Sequence, residues 1–409
     1  MVKKPFEGLN VIDMTWSGAG VFILNFLSHF GATVVRVESM KQPDPIRRVY
    51  TYTDVTNDSP NAVNRGAMFA FSHPAKKYSM TLNLKNPQAL EIYKGLVAWS
   101  DIVGECFPTG VMERFGLGYD VLKSIKPDVI MMRSCGYGHT GPMASQAGFG
   151  MTLAAYAMMF SIAGWPDRDP VPVSSYYSDQ LSPLLSIFGL VAALDYRRRT
   201  GKGQCIDQSQ VESSLNYLAP LILDYSANGR EVKTTGNQCD WATPHGVYRC
   251  RGEERWVAIE VFTDAEWNSF GNVLGNPEWT NDPRFQTIEG RLVNSEEIDR
   301  LVESWTINHT PEEIMTMMQA AGVGAGVVAN AQDLFEDVQL KHYNYYREVD
   351  HPYMGKIEYA HPPAFKMSDF DSEVGRSSIL GEHNEYVCKE ILGISDTEYK
   401  QLVEAEVFE

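Results

Sequence analysis

Positive charge is scarce in this sequence. Its 35 lysines and arginines stand against 52 aspartates and glutamates, a formal net charge of −17. A surface of that sign repels phosphate backbones and anionic headgroups, which excludes nucleic acid and membrane surfaces as general partners. Cysteine is sparse too: Cys106, Cys135, Cys205, Cys239, Cys250 and Cys388 are scattered, with no CxxC pair. That pattern excludes a disulfide framework and points to reduced thiols in the cytoplasm. No group of His, Cys and carboxylate residues has metal-ligand spacing, so no metal and no bound cofactor is expected. Long apolar runs are missing as well. The two most apolar segments, 151–165 and 184–194, fall short of the roughly 20 residues a spanning helix needs. The start, MVKKPFEGLNVIDM, carries two lysines but no apolar stretch of the signal-peptide kind. Gly18-Ala-Gly20 lacks the third glycine of a dinucleotide fingerprint, and no P-loop, HExxH or GxSxG motif occurs.

What is present is a globular composition, 44% hydrophobic, spread over 409 residues; that length exceeds one ordinary core. GLNVIDM reads as a strand, TWSGAG as a turn, VFILNFLSHFGA as a helix and TVVRVES as a second strand. The alternation continues through KYSMTLNL, PQALEIYKGLVAWS, DIVGECF, YDVLKSIK and PDVIMMRSCGYG. Repeated strand–helix–strand units predict an α/β fold, a Rossmann-like doubly wound parallel sheet in a large domain. Residues 1–227 are assigned to that domain, 228–325 to a smaller α+β domain, and 326–409 to a linker and a tail returning to the large domain.

In VSSYYSDQLSPLL a carboxylate, Asp179, stands where a polar loop becomes an apolar run ending in Arg197, Arg198, Arg199 and Gly201. Position alone makes Ser178 or Asp179 the N-cap of a helix over 180–199. The arginines then complement its C-terminus and the glycine supplies the left-handed cap. Three glycine-bearing loops, TWSGAG, CFPTGVMERFGLGYD and CGYGHTGP, leave predicted strands at their carboxyl ends. That is where a parallel sheet binds ligands.

Together with NLKNPQAL and SDQLSPLLSIFGLVAALDYRRRTGKGQCIDQSQVES, these segments resemble the family III CoA-transferases, a group that includes formyl-CoA and carnitine CoA-transferases. The likeness is continuous over about residues 5–215. It implies that Asp179 is a nucleophile that forms an anhydride with the acyl group and then a thioester with CoA. It further implies CoA contacts at Ser17, Gly18, Lys76, Lys77, Phe107, Arg114, Tyr137 and Gly138. Cys135 replaces a lysine of formyl-CoA transferase, and GNQCDWATPHGVYRC lacks that enzyme's glycine run, which argues against formyl and oxalyl groups. Phe149, Met158, Met159, Phe160, Trp165, Tyr176, Tyr177 and Trp241 suggest a bulky or aromatic acceptor acid, as in the succinyl-CoA:benzylsuccinate type, with succinyl-CoA as donor.

Two alternatives stay open: an acyl-CoA racemase of the same superfamily, and a non-catalytic CoA-binding subunit of a heteromer. The racemase needs a histidine where this chain has Phe149, so it lacks one of its two proton carriers. The resemblance also implies two interlocked subunits, an obligate homodimer or a heteromer with a paralogue.

Overall fold

The computed structural model describes residues 3–48, 62–66, 69, 76–173, 177–359 and 363–409. The chain divides into two units: Met1–Met159, Pro172–Arg230 and Lys341–Glu409 form one, and Phe160–Val171 with Glu231–Leu340 the other.

In the first unit the predicted strands appear as β1 (Asn10–Met14), β2 (Thr33–Glu38), β3 (Tyr78–Thr81), β4 (Ile102–Glu105), β5 (Ile130–Cys135) and β6 (Cys205–Ser209). They join in the order β3-β2-β1-β4-β5-β6, with every pair parallel. This is the doubly wound order of a dinucleotide-type sheet, whose direction of winding reverses between β1 and β4. The mixed α/β reading therefore holds.

Burial on both faces explains the run of β-branched and aliphatic residues in the strands. Val11, Val34, Ile102 and Ile130 pack on one side with Leu24, Leu27 and Leu190. Ile12, Val35, Val103 and Met131 pack on the other with Tyr93 and Leu96. The helix that supplies Tyr93, Pro87–Trp99, starts where Asn86 caps the Gln88 amide and a proline occupies the first turn.

β3 would be an open edge, but the tail covers it: the Thr81 amide donates to Asn384 and the His383 amide to the Ser79 carbonyl. A hairpin of β10 (Arg347–His351) and β11 (Gly355–Tyr359) belongs to the same tail.

The second unit holds an antiparallel sheet of β7 (His245–Arg249), β8 (Trp256–Glu260) and β9 (Gly324–Val327). Its core gathers Trp267, Phe270, Phe285, Ile298 and Ile314. Among the described residues no helix is long and apolar enough to cross a membrane.

Candidate active site

The turn after β1 is built by its neighbours. Thr15 donates from its amide and hydroxyl to Asp13, at 2.9 and 2.6 Å. The Trp16 amide donates to Cys106 Sγ at 2.8 Å, and the Ser17 amide to Asp44 at 3.0 Å. These bonds hold Ser17 in the left-handed region, at φ 58°, a conformation that costs a non-glycine residue free energy. The turn then delivers Gly18 as the N-cap of the helix Ala19–His29.

Asp179 is pressed against that glycine. A Cβ on Gly18 would lie 3.2 Å from both Cβ and Oδ2 of Asp179, so a side chain at that position would crowd the carboxylate. The helix carrying Asp179 runs from Tyr177 to Thr200, longer at its start than 180–199. Ser178 and Asp179 are therefore in the first turn, and neither is the N-cap; residues 174–176, Tyr176 included, lie outside the described ones. Ser178 anchors the turn by donating to the Gly150 carbonyl at 2.9 Å. The helix ends as read, with Gly201 at φ 71°.

Asp179 is half-buried and among the described residues it has no hydrogen-bond or ion-pair partner. Burial alone pushes its carboxyl group up to about 6. Desolvation without compensation leaves a carboxylate that is ionised at neutral pH yet poorly solvated, the condition of an activated oxygen nucleophile.

The carboxylate opens on a cavity of about 590 Å³ at the carboxyl ends of the strands, between the loops that follow β1, β4 and β5. This is the crevice at which the winding reverses. Ser17, Gly18, Phe107, Tyr137 and Asp179 all line it. Trp16 and Phe107 meet edge to face there, with ring centroids 5.8 Å apart.

Three other expected contacts stand elsewhere. Gly138, at φ 84°, turns the loop after Tyr137 without reaching the wall. Arg114 is exposed on the short helix Val111–Arg114, whose neighbours Val111 and Phe115 do line the cavity. Lys76 is exposed before the first residue of β3.

Lys77 requires a correction. Its ammonium is buried and paired with Asp13 Oδ2 at 2.7 Å, inside a network in which Arg36 meets Asp13, Glu38 and Asp44, and Arg47 meets Glu38. A cation so enclosed is a core element, not a free contact for a phosphate. The basic residue that does line the cavity is Lys85. It sits in NLKNPQAL, a segment noticed for its pattern and not for its charge.

The chain matches the family described as CoA-transferase family III over residues 6–384. It belongs to CoA-transferase family III. A succinyl-CoA–D-citramalate CoA-transferase of Chloroflexus aurantiacus is 29% identical over 98% of this chain and 97% of its own. The beta subunit of that organism's succinyl-CoA–L-malate CoA-transferase is 31% identical over 97% of this chain and 96% of its own. Among solved structures, a CAIB/BAIF family protein from Brucella suis covers 95% of this chain with all of its own, at 28% identity and a TM-score of 0.85. The chain is thus an enzyme of the CoA-transferring class.

Beside the family III cavity, folding brings together a group that residue spacing conceals. Cys135 and His139 meet Asp207 of β6, a grouping that spacing along the sequence does not display. Burial disfavours a charge on His139, but the Cys135 contact and the nearby Glu105 carboxylate outweigh it and lift the imidazole to about 10.

The bulky residues expected around Asp179 divide. Phe149 lines the cavity, while Met158, Met159 and Tyr177 do not, and Phe160, Trp165 and Trp241 belong to the other unit.

Proposed function

We propose that the chain moves CoA from an acyl-CoA donor, of the succinyl-CoA kind named in its relatives, to a free carboxylic acid with an apolar, bulky or aromatic body. Asp179 is the nucleophile. Its carboxylate attacks the thioester carbonyl, the C–S bond breaks and CoA leaves as thiolate, giving a mixed anhydride. The thiolate attacks the aspartyl carbonyl, the donor acid departs, and CoA is held as an aspartyl thioester. The acceptor carboxylate attacks that thioester and forms a second anhydride. The returning thiolate then takes the acceptor's acyl group and frees Asp179. Activation is conserved throughout, so no outside energy source is consumed.

The observation that carries this reading is a half-buried, unpaired carboxylate pressed against the glycine at a helix N-terminus, in a cavity large enough for a thioester arm. Amides at a helix start are suited to steadying the oxyanion of each addition step. Ser17, Gly18, Phe107 and Tyr137 form the CoA side, with Lys85 toward the phosphates and Arg114 at the rim. The apolar acceptor is supported by the wall of Trp16, Phe107, Phe115, Tyr137 and Phe149, and by Lys85 being its one basic side chain among the described residues.

Assembly as an interlocked pair, with a second copy or a paralogous subunit, is part of the proposal. The helix Tyr177–Thr200 leaves Phe188 80% exposed, and Leu223 on the helix Ala219–Asn228 is 66% exposed. Faces of this kind mark a partner surface. One relative is named as a beta subunit, so sedimentation of the chain alone, against the chain with candidate paralogues, decides between the two.

The reaction is tested by a panel of acyl-CoA donors and free acids with turnover followed by product acyl-CoA. Transfer from succinyl-CoA to arylalkyl acids is the expected result. Rapid α-deuterium exchange of a 2-methylacyl-CoA in deuterated water, without any acceptor acid, would instead establish the racemase.

A further inference from the structure

We propose that Cys135, His139 and Asp207 form a binding site for a divalent transition-metal ion of the zinc type. The site goes beyond the transfer reaction and does not depend on it.

The fold places the three donors. β5 ends at Cys135, and its register with β6 sets Arg133 opposite Asp207 and Cys135 opposite Ser209. The loop after Cys135 reverses at Gly138, whose φ of 84° requires the left-handed region. His139 is thereby returned over the strand end, and its amide donates to both carboxylate oxygens of Asp207 at 3.0 Å. Its Nδ1 then stands 3.4 Å from Cys135 Sγ and 3.1 Å from Asp207 Oδ1. All three ligand atoms lie within 4.8 Å of one another.

Those separations fit one ion. Tetrahedral zinc with bonds of about 2.0–2.3 Å to nitrogen, oxygen and sulfur has ligand–ligand edges of roughly 3.3–3.6 Å. The two pairs that share Nδ1, at 3.4 and 3.1 Å, are within a few tenths of an ångström of that.

The surroundings of the histidine point the same way. Its side chain is only 5% exposed, and Nε2 lies 3.4 Å from Glu105 Oε1 with no hydrogen bond completed there. Glu105 is itself held by Arg133 at 2.7 Å. A carboxylate behind the far nitrogen of a histidine is the usual outer partner that orients a metal-binding imidazole.

The donor set decides the class of ion. Thiolate and imidazole favour zinc or cobalt over magnesium or calcium, which require oxygen. Thiolate and carboxylate together balance a divalent charge. Three protein ligands leave one position for water, and Cys135 is also part of the cavity wall, so the ion lies beside the crevice.

The test uses the full chain, stripped with chelator and titrated with Co²⁺ at pH 8, then with Zn²⁺ as competitor. The site predicts one ion per chain, with a thiolate-to-cobalt charge-transfer band that zinc abolishes. Cys135→Ser should remove the band, and His139→Gln and Asp207→Asn should weaken binding at least tenfold, while Asp179→Ala keeps it. Zinc should raise the melting temperature of the wild type but not of Cys135→Ser. No band in the wild type, or an equal band in Cys135→Ser from another cysteine, overturns the site. In that event Cys135 and His139 are a metal-free hydrogen-bonded pair.

Discussion

Two groups of buried carboxylates lie close together in the chain's first unit and are treated in opposite ways. Asp13 and Glu38 are fully buried among Lys77, Arg36 and Arg47. Burial pushes both upward, but the cations overcome it and leave Asp13 below its ordinary value and Glu38 at about 2. Asp44 differs within that network: burial prevails over Arg36 and raises it, while its oxygens still anchor the Ser17 amide. Asp179 is less buried, yet nothing compensates it, and it rises to about 6. The difference teaches that burial alone does not define a carboxylate's role. A paired one fixes the turn, and an unpaired one beside a cavity stays available for chemistry.

The largest effect is expected from removing the unpaired group. Asp179→Ala should cut transfer by about 10³-fold or more without lowering the unfolding midpoint, since no contact that stabilises the fold is lost. Steady-state assays and denaturant melts on the same preparation check both halves. Near-normal turnover would erase the distinction between the two environments.

Breaking the paired group should do the reverse. Lys77→Met leaves Asp13 buried with one partner fewer, and losing one member of a buried pair costs about 3–5 kcal/mol. Denaturant unfolding reads this directly. Combining Lys77→Met with Asp13→Asn should cost less than the sum of the two, because they share one interaction.

A smaller effect sharpens the contact between the regions. Gly18→Ala introduces a Cβ 3.2 Å from Asp179 Oδ2, and the carboxylate must move. A loss of about tenfold in kcat/KM, equivalent to about 1.4 kcal/mol, is expected with the fold retained. Unchanged kinetics would show that the close approach is incidental.

The smallest effect concerns pH. Asp179 is raised from 3.8 to about 6, so the folded state binds an extra proton between those values. Its stabilising contribution is complete below 3.8 and is lost as pH rises through 6. The wild type therefore carries the cost of a buried charge at neutral pH, and Asp179→Asn should melt ~1–3 °C higher at pH 7.5. The difference should vanish near pH 4. In the wild type, kcat/KM should fall as pH drops below about 6.

Much of the fold was legible because it is local. Alternating strand and helix patterns, the Asn86-Pro87 helix start and the Gly201 stop all depend on neighbours in sequence. The site was legible only in part. Read locally, Asp179 is a helix cap, and only the family pattern raised it to a nucleophile. Lys77 looked free beside Lys76 because its partner, Asp13, is 64 residues away. The cluster of Cys135, His139 and Asp207 was hidden by the 68 residues that separate His139 from the strand beside it. The placement of 160–171 with the second unit has no signal in composition or periodicity. Each miss is a long-range contact, which no window of sequence contains.

The central claim is that Asp179 becomes covalently attached during turnover. Incubation with succinyl-CoA, trapping with hydroxylamine or borohydride and peptide mapping by mass spectrometry test it most directly. Modification of Asp179 alone, dependent on the thioester and absent from Asp179→Asn, is the predicted result. An adduct on another residue, or rapid turnover with Asp179 never modified, would contradict the account.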